Sequence, residues 1–134
     1  MKIAVSASGD SLDGNVDPRF GRCSYFIIVE TEDNKIKSHE VVSNQAVQAM
    51  RGAGIQAAQT VANEGVEVLI TGNIGPNAFN VLSQTRVKIV TGVSGKVSEA
   101  VKKYLKGELK ETIQPTVGFG RGMGRGFGRG RWNR

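Results

Sequence analysis

Few side chains in this 134-residue chain can hold a metal or act as a nucleophile: it has one cysteine, Cys23, and one histidine, His39. A single thiol excludes an intrachain disulfide framework and a Cys-x-x-Cys site. A single imidazole excludes a multi-histidine metal centre. Cys23 follows Arg19 and Arg22, and neighbouring cations lower a thiol pKa. The expectation is a stabilised thiolate, a soft ligand. Cys23 reads equally well as a small half-buried residue at the start of a strand. His39 is the second candidate metal ligand, against the plainer reading of a residue on a strand face. Asp10, Asp13 and Asp17 share one loop, Ser8 to Arg22. Carboxylates suit a hard cation, but acids among glycines and asparagines are more often turn and cap residues. The strand before that loop, residues 2–7, carries no carboxylate. A two-metal nuclease would want acids there.

Two glycine-rich turns offer a different chemistry. Thr71-Gly72-Asn73-Ile74-Gly75-Pro76-Asn77 and Thr91-Gly92-Val93-Ser94-Gly95-Lys96 each follow a strand and open a helix. Ligands of open α/β sheets sit beyond the C-terminal strand ends, and free N–H groups at a helix start favour anions. Neither turn is a P-loop, because Val90 stands where the first glycine is needed and Val97 follows Lys96. Plain structural turns explain both equally well.

The net charge of +6 invites a nucleic-acid reading, so its location matters. Residues 118–134 hold five arginines and no acid, and without them 13 basic residues face 12 acidic ones. The charge belongs to a tail with three copies of Gly-[Phe/Met]-Gly-Arg, followed by Gly130-Arg131-Trp132-Asn133-Arg134. Arg121, Arg125, Arg129 and Arg131 could neutralise phosphates, and Phe127 and Trp132 could stack on bases. RNA binding through the tail is one expectation; a solubilising tail is the other. Alternating glycine has a high ordering entropy, so disorder is expected for 118–134, after a linker at 113–117. No apolar run approaches the ~18 residues of a membrane span. The N-terminus lacks a signal-peptide pattern. The expectation is a cytoplasmic protein with no membrane partner.

The elements that would position these residues follow from periodicity. Strands are expected at 2–7, 25–30, 36–43, 66–70 and 87–91, with Asp33-Asn34-Lys35 as a hairpin turn. Helices are expected at 55–63, 76–84 and 97–105, the second opened by Pro76. The order β-β-β-α-β-α-β-α implies a mixed sheet covered by helices. The first strand is apolar on both faces, which puts it in the centre, between the second and fourth.

One segment carries a family resemblance. Arg19-Phe20-Gly21-Arg22-Cys23-Ser24-Tyr25-Phe26-Ile27-Ile28-Val29 resembles the [H/R]FGRAPYF-IV signature of the dinitrogenase iron–molybdenum cofactor biosynthesis family. Gly54-Ile55, Val68 through Ala78, and Gly95 through Leu105 with Gly107 extend the likeness over about residues 1–112. The glycine- and arginine-rich end resembles small stand-alone members. The resemblance implies a ribonuclease-H-like α/β/α sandwich, with a five-stranded mixed sheet in the order 3-2-1-4-5 and strand 2 antiparallel. It also implies a non-catalytic protein that binds and delivers an iron–sulfur or iron–molybdenum-type cluster or its precursor. In the nitrogenase carriers a histidine near the Phe-Gly motif is implicated; here Arg19 stands in its place.

The expected site therefore lies between the 8–23, 71–77 and 91–96 loops. Arg19, Phe20, Gly21, Arg22, Cys23, Gly72, Asn73, Gly75 and Ser94 would bind the cluster, with Cys23 as the direct ligand and His39 as a second metal ligand. One thiol and one imidazole cannot saturate a cluster. A homodimer, an exogenous thiol or a cluster-assembly or cluster-accepting partner would complete it.

Overall fold

The computed structural model describes residues 1–49 and 51–116. The expected tail and all six of its arginine and aromatic candidates (Arg121, Arg125, Phe127, Arg129, Arg131, Trp132) lie outside the described residues.

Five strands form one sheet: β1 Lys2–Ala7, β2 Tyr25–Glu32, β3 Lys35–Ser43, β4 Val68–Ile70 and β5 Lys88–Val90. Their order is β3-β2-β1-β4-β5. Strand β2 runs antiparallel to both neighbours, while β1, β4 and β5 are parallel. This is the order and polarity implied by the resemblance. The β2–β3 turn places Asp33 and Asn34 at φ 54° and 62°, a conformation that short polar side chains tolerate and that matches the twist of a hairpin.

Three helices cover the sheet: α1 Ala53–Asn63, α2 Pro76–Gln84 and α3 Val97–Leu105. Side chains alternate across a strand, so one strand feeds two cores. Ala4, Phe26, Ile28, Leu69 and Ile89 pack with Ala57, Ala58 and Val61 of α1 and with Ala78 and Leu82 of α2. Ile3, Val5, Ile27, Val29, Val68, Ile70 and Val90 pack with Val97, Ala100 and Val101 of α3. Fully burying a side chain such as Phe26 or Leu69 contributes ~1.5–3 kcal/mol. Strand β1 is central because both its faces are covered; β3 is a largely exposed edge, studded with charged residues that discourage edge-to-edge pairing.

Several boundaries differ from the periodicity: β2 runs on to Glu32, β3 starts at Lys35, and β4 and β5 shorten to Val68–Ile70 and Lys88–Val90. Helix α1 begins two residues before the expected Ile55, because Gly52 supplies a left-handed turn at φ 69°. Gln45–Gln48, between β3 and α1, forms a short 3-10 turn capped by the Asn44 side chain.

Candidate functional site, a cleft between two helix starts

The long loop after β1 is sewn across the C-terminal ends of the parallel strands. The Asp17 amide donates to the Ser6 carbonyl at 2.9 Å, and the Val16 amide to Gly95 at 2.8 Å. The loop then reaches the 71–75 turn, where the Asn73 amide donates to the Pro18 carbonyl at 2.9 Å. Gly72 makes this approach possible: a Cβ there would sit 2.5 Å from the Pro18 Cα. Ser6, buried in the central strand, donates at 2.8 Å to the Asp17 carbonyl and shares a 2.7 Å hydrogen bond with Thr71.

Between this loop and the first turns of α1 and α2 lies a cleft of about 440 Å³. The loop contributes Pro18, Arg19, Phe20 and Gly21. Helix α1 contributes Gly52 to Ile55, and α2 with its preceding turn contributes Asn73 and Gly75 to Ala78. The walls come close because their residues are small: a Cβ on Gly21 would lie 3.1 Å from the Gly54 amide. Neither helix has a side-chain cap. No described residue accepts a hydrogen bond from the amides of Ala53, Gly54, Ile55, Asn77 or Ala78. Two helix ends whose first amides have no acceptor among the described residues, each end equivalent to roughly half a positive charge, therefore border one cleft.

Arg19 stands at the rim with its side chain 68% exposed. Its Nε and Nη2 donate to the Asp17 carboxylate at 3.3 and 3.4 Å. That hydrogen bond and the carboxylate's charge raise the arginine pKa further. Asp17 also accepts from the Arg19 amide at 2.9 Å. Asp17 is thus a turn-forming, ion-paired acid, and no group of three potential metal-ligating side chains forms among the described residues.

The structure redistributes the expected site residues. Arg19, Phe20, Gly21, Asn73 and Gly75 line the cleft. Gly72 is buried beneath Pro18 and serves the packing of the loop. Arg22 turns away and donates to the carbonyls of Val47 and Ala49 at 3.2 and 2.6 Å. Ser94 lies by the other strand-to-helix turn, which the loop has already occupied. There the amides of Val97 and Ser98 donate to Gly14 and Leu12 at 2.9 and 3.0 Å. Of the three expected loops, the structure brings residues 18–21 and the 73–77 turn to one cleft, together with the start of α1, and leaves the 91–96 loop apart from it.

Cys23 departs furthest from expectation. It is fully buried, and its Sγ donates to the Phe20 carbonyl at 3.2 Å. The Asn44 amide group reaches the sulfur at 3.7 Å and the Cys23 carbonyl at 2.8 Å. Burial first, and then the Asp17 carboxylate, push the thiol pKa up to about 12. The expected thiolate is reversed, because Arg19 is spent on Asp17 and Arg22 on carbonyls while the sulfur enters the core. A buried, protonated thiol offers no direct ligand. His39 does not assist it. His39 is exposed on β3 opposite Val29, whereas Cys23 precedes Tyr25, which pairs with Ser43. The six residue steps from Cys23 to Val29 put the two side chains roughly 20 Å apart along the chain.

The α1 wall escaped the residue-type reading, since its contribution is main-chain amides. Its signal is the small-residue run Gly52-Ala53-Gly54 at a helix start.

The molecule has well-defined relatives. An uncharacterised protein of Methanocaldococcus jannaschii is 37% identical over 104 residues, which cover 78% of this chain and 85% of the relative. The apo form of the orange protein from Desulfovibrio gigas superposes with a TM-score of 0.81 at 38% identity, covering 86% of this chain and 95% of that one. A NifB-like protein from Thermotoga, solved by NMR, gives a TM-score of 0.71 at 35% identity, over 86% and 97% of the two chains. The family model for dinitrogenase iron-molybdenum cofactor matches residues 1–107. The fold, the motif from Arg19 to Val29 and this match agree: the chain belongs to the dinitrogenase iron-molybdenum cofactor family.

Proposed function

We propose that this protein is a non-catalytic, cytoplasmic carrier that holds a small anionic metal–sulfur cluster in the cleft. The cargo is an iron–sulfur or iron–molybdenum-type cluster or its precursor. Family membership supports the class of cargo. The observation that carries the reading is the meeting of two helix starts without side-chain caps, whose five first amides have no acceptor among the described residues, with Arg19 at the rim. Such a cradle hydrogen-bonds an anion through its terminal sulfur or oxygen atoms and needs no thiolate. Phe20, Ile55, Pro76 and Ala78 add an apolar wall, which suits soft, weakly hydrated sulfur. The two-sided helical cover supports the ribonuclease-H-like assignment.

Holding the cargo by hydrogen bonds leaves its metals free to bind new ligands. A cluster-assembly protein can load it and a cluster-accepting protein can remove it without breaking a metal–cysteine bond. Of the expected residues, Arg19, Phe20, Gly21, Asn73 and Gly75 contact cargo in this scheme. Gly72, Arg22 and Cys23 shape the wall, and Ser94 and His39 stand apart.

The test is anaerobic incubation with tetrathiomolybdate, or with iron and sulfide, followed by gel filtration with absorbance detection. Wild type and Cys23→Ser are expected to retain colour equally. Colour lost in a folded Cys23→Ser protein restores a thiolate ligand and sinks the amide-cradle reading. Colour retained by neither protein removes the carrier reading itself.

A further inference from the structure

The turn that opens α2 is held from two sides. On one side, the Asn73 amide donates to the Pro18 carbonyl at 2.9 Å. On the other, Ile74 gives both of its backbone groups to Thr116. The Ile74 amide donates to the Thr116 hydroxyl at 2.8 Å, and the Ile74 carbonyl accepts from the Thr116 amide at 2.9 Å. The same hydroxyl donates back to that carbonyl at 3.3 Å. Neither Ile74 group has another partner among the described residues. Four residues before Thr116, the Thr112 amide donates to the Ile89 carbonyl at 2.6 Å. Its hydroxyl accepts from the Thr91 amide at 3.0 Å and shares a 2.7 Å hydrogen bond with the Thr91 hydroxyl. Two threonines thus fasten residues 112–116 as a strap that runs from β5 to the turn.

The fastening bears on the cleft. A turn can rotate its peptide planes at little cost unless their N–H and C=O groups have partners. Here the Asn73 amide, the Ile74 amide and the Ile74 carbonyl are all engaged, which fixes three successive peptide units. Those units lead straight into Gly75 and Pro76, where α2 begins. Asn77 and Ala78 follow at once, and their amides have no acceptor among the described residues. Asn73 and Gly75 line the cleft, whereas Thr116 does not. The Ile74 side chain is buried in the core below the turn. It anchors the turn in place, and Thr116 sets the tilt of its peptides.

We propose that Thr116 is a positioning residue of the cleft. Acting through Ile74, it fixes the peptide units that lead into α2, and so the direction in which the first amides of α2 meet an anion. This rests on the amide-cradle reading above and assigns the strap a role in that site. Thr116 itself touches no cargo. A hydrogen bond weakens steeply away from linearity, so an anion held by several amides at once depends on their mutual orientation. Removing the hydroxyl leaves the Ile74 amide without an acceptor and frees the tilt of the turn. The core contacts of Ile74 and the bonds of Thr112 to β5 remain, so the fold should survive the change.

Three full-length proteins test this: wild type, Thr116→Val and Thr116→Ser. Valine keeps the branched shape without the hydroxyl, and serine keeps the hydroxyl. Thr116→Ala serves if the valine variant does not fold. The strap is read first without cargo, by hydrogen exchange of the Ile74 amide in NMR. Exchange should be about tenfold faster in Thr116→Val and near wild type in Thr116→Ser. Tetrathiomolybdate affinity is then measured anaerobically by equilibrium dialysis, with thermal unfolding alongside. Thr116→Val should bind about fivefold more weakly, with its thermal midpoint close to wild type, and Thr116→Ser should restore the affinity. Wild-type affinity in a Thr116→Val protein whose Ile74 amide exchanges faster overturns the proposal and leaves the amide-cradle reading standing. Unchanged exchange in Thr116→Val also overturns it, since the strap would not hold the turn in solution. So does an equal loss of affinity in the serine variant, since the hydroxyl would then not be the cause. No binding by wild type defeats the amide-cradle reading and this proposal with it.

Discussion

Two strand-to-helix turns in this protein are near twins in sequence and opposites in space. Thr71-Gly72-x-x-Gly75 opens α2, and Thr91-Gly92-x-x-Gly95 opens α3. At the second, the chain fills its own anion-binding geometry: the carbonyls of Leu12 and Gly14 accept from Ser98 and Val97. At the first, the loop passes alongside through the Pro18–Asn73 bond, and Asn77 and Ala78, whose amides have no acceptor among the described residues, line a cleft. A helix start is thus a site only where the rest of the chain declines to occupy it. The glycines differ in the same way. Gly92 and Gly95 are needed for φ values of 77° and 91°. Gly72 is needed because Pro18 lies against it.

The sharpest way to break this contrast is at Gly72. Gly72→Val forces Cβ into Pro18 and should cost about 3 kcal/mol, at the upper end of overpacking penalties. Gly92→Ala meets no atom within 4 Å and should cost only about 1 kcal/mol, for the unfavourable φ. Equal urea midpoints for the two variants would show that the glycines have the same role. Next comes Asn44→Leu, which unpairs the Gly21 and Cys23 carbonyls and the Ala46 amide. Leaving such buried groups unsatisfied should cost about 2 kcal/mol in urea denaturation. An unchanged midpoint would mean that the cleft floor does not depend on this staple.

A smaller effect separates the two turns functionally. Ile55→Glu should weaken tetrathiomolybdate binding about tenfold or more through like-charge repulsion, with thermal stability unchanged. Ser94→Glu, beside the sealed turn, should leave binding as it was; equal losses would erase the distinction between the turns. The smallest effect is absent at neutral pH. The Cys23 thiol titrates near 9 when unfolded and about 12 when folded. The folded state therefore holds the proton more tightly, and stability falls as pH rises from about 9 toward 12. The wild-type urea midpoint should decline over that window more steeply than that of Cys23→Ser. Parallel declines would place the thiol in contact with solvent.

Local pattern carried much of the architecture. The aromatic and β-branched run Tyr25–Glu30, the apolar period of Val97–Leu105 and Pro76 at a helix start were legible because each depends on near neighbours in the chain. The centrality of β1 was legible too, since a strand apolar on both faces must be covered on both. The candidate cleft was half legible: the Arg19–Gly21 motif and the Asn73–Gly75 turn were named, but the Gly52–Ile55 wall was not. Main-chain amides look alike at every position, and only the fold shows which of them lack acceptors. Cys23 shows the limit most clearly. Its flanking arginines predict a thiolate when proximity in sequence stands for proximity in space. Folding instead turns Arg22 toward Val47 and Ala49, ties Arg19 to Asp17 and buries the sulfur. A side chain's type and spacing are properties of the chain, but its solvent and its charged neighbours come from the packing of distant segments, and they set its chemistry.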